Sequence, residues 1–237
     1  MLVSYRHNFA FVHVPKTGGT SVCYALWPHA DHVDHHWANR WLTHFGIRVN
    51  HLAPHRLKKF RTHTTADTLR RNLPADVFAG MFKFAFVRNP WDLLVSYYEF
   101  LRTPDTTGLH HSHRRRFAGR LPGFEAYVRY ELSRGKISQT RMLTDRRGRL
   151  LVDFVGYYES LASDFDVVCH RIGVHAELAR FNGSGRADYR DYYTDRLAAL
   201  VRRHFAEDIE RFGYEFESFA RPAATEPVGG FALGWAA

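Results

Sequence analysis

Apolar positions along the chain follow two rhythms. Phe9 to Val14 and Phe84 to Val87 are short, nearly unbroken apolar runs, the pattern of strands covered on both faces. With a third run they predict strands over 9–14, 82–88 and 152–157. Each precedes a segment of helical spacing, which favours parallel pairing through crossover helices. After the third strand, Leu161, Phe165, Val168 and Ile172 recur at helical intervals and Gly173 supplies a stop. Near the end, Thr194 is placed to cap one helix with the apolar face Leu197, Leu200, Val201, Phe205, Ile209 and Phe212, closed by Gly213. The expected fold class is α/β, a central parallel sheet flanked by helices. Such sheets bind ligands at the carboxyl ends of their strands.

Two of those strand ends carry anion chemistry. After the first strand come Lys16, Thr17, Gly18, Gly19, Thr20 and Ser21, then a segment over 22–27 that continues as a helix. The glycines permit a tight turn and close backbone approach, and the helix start offers unpaired amides with the positive end of its dipole. Lys16 adds a mobile charge, and Thr17, Thr20 and Ser21 add hydroxyls. The spacing differs from the nucleotide triphosphate loop, whose lysine follows its glycines and precedes a magnesium-binding hydroxyl.

The second site is Arg88, at the end of the second strand, with Ser96 eight residues on. Asn89 suits a helix N-cap and Pro90 the first helical position. Ser96 then lies about two turns from Asn89 on the same helix face, so Arg88 and Ser96 can converge on one group. The competing assignment pairs Arg88 with a neighbouring carboxylate and leaves Ser96 to helix packing.

The two motifs resemble the signatures of sulfotransferases that use 3′-phosphoadenosine 5′-phosphosulfate (PAPS). In wording they are most similar to the carbohydrate and heparan-type branch and its bacterial relatives. The stretch 152–161 and the run Tyr189-Arg190-Asp191-Tyr192-Tyr193 resemble further blocks, so the likeness spans about residues 9–216. The resemblance implies a P-loop-like, three-layer fold. It also implies that Lys16, Thr17, Gly18, Gly19, Thr20 and Ser21 hold the 5′-phosphosulfate, and that Arg88 and Ser96 hold the 3′-phosphate. On the same resemblance, the loop with Ser184 and Arg186 is expected either as a lid over that phosphate or as a plain glycine-rich turn, PAP as the product, and no metal. The acceptor it leads to expect is a hydroxyl or amine, on a glycan or a glycosylated small molecule.

Catalysis of this kind needs a base near the acceptor. His51 opens His51-Leu52-Ala53-Pro54, which resembles the segment where the heparan 2-O branch carries its basic histidine, and histidine titrates near neutrality. His55, His13, Asp76 and Glu159 are its rivals among many ionisable groups, sixteen of them histidines. His29, Asp31, His32, Asp34, His35 and His36 are ligand types without the pair spacing of a zinc site, so no metal is assigned. Trp27, Trp37 and Trp41 flank them and suit either a sugar cleft or core packing.

Composition bounds these readings. A chain of 237 residues, 45% hydrophobic, can bury one sizeable core, giving a single domain over 1–220 and a poorly ordered tail over 221–237. A net charge of +9 favours anionic ligands. Basic residues gather in His110, His111, His113, Arg114, Arg115 and Arg116, read as a solvated loop in preference to an acceptor-binding patch. Cys23 and Cys169 are too few for a disulfide framework and read as core thiols in a reducing, cytoplasmic setting. No leader and no membrane-spanning run is read, no nucleic-acid partner is expected, and nothing in the sequence signals an oligomeric state. The alternatives are a magnesium-dependent phosphotransferase (kinase-like) of the nucleotide-loop fold and a non-enzymatic polyanion-binding protein.

Overall fold

The computed structural model of the chain describes residues 1–31, 60–102, 120–179 and 187–218. A four-stranded sheet runs in the order β1 (Leu2–Ser4), β2 (Phe9–Val12), β3 (Phe82–Val87) and β4 (Phe154–Tyr157). The helices are α1 (Gly19–Leu26), α2 (Ala66–Asn72), α3 (Ala75–Gly80), α4 (Pro90–Arg102), α5 (Phe124–Arg134), α6 (Gln139–Leu143), α7 (Leu161–Ile172), α8 (Asp195–His204) and α9 (Ala206–Phe212). β2, β3 and β4 are parallel, as the helical crossovers between them require. β1 is an addition to the predicted set. It pairs antiparallel with β2 through a turn in which Asn8 takes φ 52°, and three residues are too few to display a period. The sheet is therefore mixed, with its one antiparallel strand at an edge.

Side-chain alternation sorts the strands into two faces. Phe9, Phe11, Phe84 and Phe86 point one way and pack with Val22 and Leu26 of α1 and with Phe165, Val168 and Ile172 of α7. Ala10, Val12, Ala85 and Val87 point the other way, against Ala66 and Leu69 of α2, Leu143 of α6 and Phe212 of α9. All eight strand side chains are fully buried, so helices cover both sides and three layers result. Burial of each phenylalanine contributes roughly 1.5–3 kcal/mol, and the Phe11 and Phe84 rings also stack at 5.2 Å between centroids. Gly156, opposite Phe86, leaves room for that ring, since a Cβ there would lie 2.4 Å from it.

A third core joins α4, α5, α8 and α9 through Trp91, Leu94, Tyr98, Tyr127, Leu197, Val201 and Ile209. Helix α7 ends at Gly173 in the left-handed conformation, as its sequence predicts. Thr194 also caps as expected, its hydroxyl accepting from the Leu197 N–H at 3.3 Å. The single helix expected beyond Thr194 is instead two, because Phe205 leaves helical geometry (φ −100°, ψ 23°). The apolar period runs through the break, with Leu197, Val201, Phe205 and Ile209 buried in this core and Phe212 in the one against β2 and β3. Among the described residues no helix is long and apolar enough to cross a membrane.

Candidate active site

Because β2, β3 and β4 are parallel, their carboxyl ends and the loops that follow lie at one edge of the sheet. After β2, the chain turns through Pro15 to Gly18 and enters α1. Lys16 takes φ 67°, and Gly18 takes φ 79° as an N-cap with no side-chain acceptor. Gly18 thus offers no side chain to cap the first-turn amides of α1, which have the helix dipole behind them. The Thr20 hydroxyl is exposed and Ser21 is half-buried. Thr17 departs from the expected pattern. It is fully buried and donates to the Val14 carbonyl at 2.9 Å, so its hydroxyl shapes the loop instead of facing an anion. The glycines are constrained from behind. A Cβ on Gly19 would meet the His13 ring at 2.1 Å, and one on Gly18 would meet Leu161 at 2.6 Å. Lys16 reaches across to α4, with Nζ 4.2 Å from the Phe100 ring centroid.

The residue after β3 is Arg88, and α4 begins two residues later. Asn89 caps as predicted, its Oδ1 accepting from the Trp91 N–H at 3.0 Å. Arg88 is 4% exposed. Its Nε donates to Asp92 Oδ2 at 2.8 Å, Nη2 lies 2.7 Å from the same oxygen, and the guanidinium sits 3.8 Å above Tyr158. Its Nη1 donates to the Lys16 carbonyl at 3.0 Å, so two motifs 72 residues apart in sequence are one hydrogen bond apart in space. Guanidinium has five N–H groups, more than these contacts use. Asp92 and Ser96 are four residues apart on α4 and share a face. Ser96 therefore stands one turn beyond the carboxylate that holds Arg88, half-buried and without a hydrogen bond among the described residues.

Several other segments close on this junction. Gln139 bonds both backbone groups of Arg88. Glu159, just past β4, accepts from the Asn89 N–H at 2.7 Å and from the Tyr214 hydroxyl at 3.0 Å. Burial pushes its carboxyl above the usual range, against those two hydrogen bonds. Asn89 Nδ2 donates to the Glu215 carbonyl at 2.9 Å, and the Tyr193 hydroxyl donates to the Trp91 carbonyl at 2.9 Å. The blocks around 152–161 and 189–193 thus meet the second motif in space. Asp92 is the neighbouring carboxylate of the competing assignment, and it does pair with Arg88. Gln139, and Asp208 which accepts from its N–H, carry no motif, and the sequence reading missed them.

Of the rivals for the base, His13 is buried and its pKa is lowered to about 3, first by desolvation and then by His63. It cannot hold a proton near neutrality. Glu159 spends both oxygens on Asn89 and Tyr214. Asp76 is exposed on α3, which leads into the amino end of β3, the end opposite Arg88. His63, absent from the earlier candidates, places Nδ1 at 3.0 Å from the His13 carbonyl. A carbonyl only accepts, so Nδ1 carries the proton and Nε2 keeps its lone pair. His51, His55, Ser184, Arg186, the histidines at 32, 35 and 36, Trp37, Trp41, the basic cluster at 110–116 and the tail lie outside the described residues. Cys169 is buried, and Cys23 is half-buried with Sγ 3.7 Å from His13 Nδ1.

A family profile described as "Sulfotransferase family" matches residues 1–215. An uncharacterized protein of Archaeoglobus fulgidus is 28% identical over 124 residues, which are 52% of this chain and 93% of that protein. The crystal structure of mouse sulfotransferase SULT7A1 complexed with PAP aligns with a TM-score of 0.47 at 13% identity, covering 87% of this chain and 85% of that one.

Proposed function

Since this chain belongs to the sulfotransferase family, we propose that it moves a sulfuryl group from PAPS to a hydroxyl or amine of a carbohydrate or glycosylated small molecule, releasing PAP. The observation that carries the reading is the contact between the two cationic corners, Arg88 Nη1 to the Lys16 carbonyl at 3.0 Å. It sets a guanidinium beside a helix start whose N-cap is a glycine, an arrangement suited to a ligand with phosphates at both ends.

In this reading Lys16, the amides of 18–21 and the Thr20 and Ser21 hydroxyls hold the 5′-phosphosulfate. Arg88 and Ser96 hold the 3′-phosphate, with Ser184 and Arg186 closing over it. As the acceptor oxygen or nitrogen bonds to sulfur, the bond from sulfur to the bridging phosphate oxygen breaks. The charge that arrives on the departing phosphate is met by Lys16 and the loop amides, which are already oriented. The acceptor's proton passes to a base, for which His51 is the proposed residue. His63 is the second choice, on the strength of its fixed tautomer. Its pKa is lowered, first of all by desolvation, and the bond to the His13 carbonyl opposes that shift.

Calorimetry of Arg88→Ala with PAP and with adenosine 5′-phosphate tests the donor assignment. Loss of a charge-assisted bond worth roughly 1.5–3 kcal/mol corresponds to about 10- to 150-fold weaker PAP binding, with the monophosphate less affected. Equal loss for both nucleotides would make Arg88 a brace for the Lys16 carbonyl and remove it from the 3′-phosphate. His51→Ala should lower turnover by roughly 10²- to 10⁴-fold while PAP affinity holds. Near-normal turnover in that variant would hand the role to His63.

A further inference from the structure

Arg88 stands one residue past the end of strand pairing, since the β3 to β4 register closes at Val87 and Tyr157. Its peptide groups are buried and must find partners elsewhere. Both partners belong to one side chain 51 residues away. The Arg88 N–H donates to Gln139 Oε1 at 2.9 Å, and Gln139 Nε2 donates to the Arg88 carbonyl at 2.7 Å. A carboxamide donates and accepts in one plane, so it can stand in for the missing strand neighbour. Gln139 is 1% exposed, so bulk water does not reach these bonds.

Gln139 is itself seated. Asp208 on α9 accepts from the Gln139 N–H at 2.9 Å and from the Thr140 N–H at 2.8 Å, which fixes the amino end of α6. The bend at Phe205 precedes this buried carboxylate by three residues. A continuous path therefore runs from Asp208 to Gln139, to the Arg88 backbone, to its guanidinium and on to the Lys16 carbonyl. The path sets where the guanidinium stands relative to the anion loop.

Resting on the donor reading above, we infer that Gln139, seated by Asp208, is a positioning residue for recognition of the donor's 3′-phosphate. It touches no ligand and acts by holding the Arg88 backbone, so that the guanidinium meets the phosphate without rearrangement. A purely structural role would lower stability and leave the nucleotide selectivity of the folded protein unchanged.

The test is calorimetric titration of the folded full chain with PAP and with adenosine 5′-phosphate, in the wild type and in Gln139→Met, which keeps the length and loses both hydrogen bonds. A group displaced by about 1 Å loses up to roughly 10²-fold in effect, and loss of a supporting bond commonly costs about 10-fold or more. The preference for PAP over the monophosphate should therefore narrow about tenfold or more, with monophosphate affinity nearly retained. An unchanged ratio in the folded variant overturns the inference. If Gln139→Met does not fold, the same ratio in Asp208→Asn decides it, narrowing in support and constancy against. A wild type with no preference for PAP removes the donor reading itself, and the inference falls with it. A wild-type preference that the variants keep removes the positioning role alone.

Discussion

At the first corner of the site, Gly18 opens α1 with no side-chain cap, followed by an exposed Thr20 and a half-buried Ser21. At the second corner, Arg88 and Asn89 are gripped by Asp92, Gln139, Tyr158, Glu159 and the Glu215 carbonyl. One corner is made from a few adjacent residues with backbone donors. The other is assembled from four stretches of chain, around residues 88–92, 139, 158–159 and 215. A helix start binds anions with groups every residue owns, so it needs only a turn that leaves them bare. A buried guanidinium is costly unless paired, so it requires partners from many directions. On the proposed reading, the first corner serves the chemistry and the second serves recognition.

The contrast breaks most visibly at Lys16. If the first corner serves the leaving group, Lys16→Ala should lower turnover by about 10²- to 10³-fold, the scale of removing one preorganised donor, while PAP affinity changes much less. Equal losses in turnover and affinity would make Lys16 a binding residue and erase the division between the corners. Gly19→Ala probes how far the open corner is nonetheless braced from behind. Its Cβ would meet the His13 ring at 2.1 Å, and that ring is buried and stacked on Phe11. Overpacking of this kind costs about 1–3 kcal/mol, to be read as a lower urea midpoint, and an unchanged midpoint would mean that the ring yields freely.

The same histidine makes the first corner sensitive to acid. Its folded pKa is about 3 against an ordinary 6.5, so between those values the unfolded chain binds the extra proton. Stability is full above about pH 6.5 and falls as pH drops toward 3, by roughly 1.4 kcal/mol per pH unit. His63, also lowered, acts in the same direction. Urea unfolding at pH 6.5 and pH 5 should show the wild type losing about 2 kcal/mol more than His13→Gln. Equal losses would show that His13 is protonated in the folded state without penalty.

Legibility in the sequence follows the same division. The first loop, the cap at Asn89 and Pro90, the helix from Leu161 to Gly173 and the three parallel strands depend on neighbours within a few residues, and local pattern reveals them. The loop's details do not follow from type alone, because the Thr17 hydroxyl turns inward to Val14 and the room at Gly19 is taken by His13. The break at Phe205 escaped because the apolar spacing continues across it, although Phe212 ends in a different core from Leu197, Val201 and Ile209. β1 escaped because three residues have no period.

Local order therefore specified the alternating faces, the strand-to-helix turns and the kind of charge placed at each, because hydrophobic period and backbone conformation are properties of short stretches. Only the folded chain decided that Arg88 lies against Lys16, that Asp92 and Gln139 hold it, and that Asp208 stands behind Gln139. Hydrogen bonds between residues 51 to 72 positions apart leave no periodic trace, since they answer to where buried groups can find partners in three dimensions.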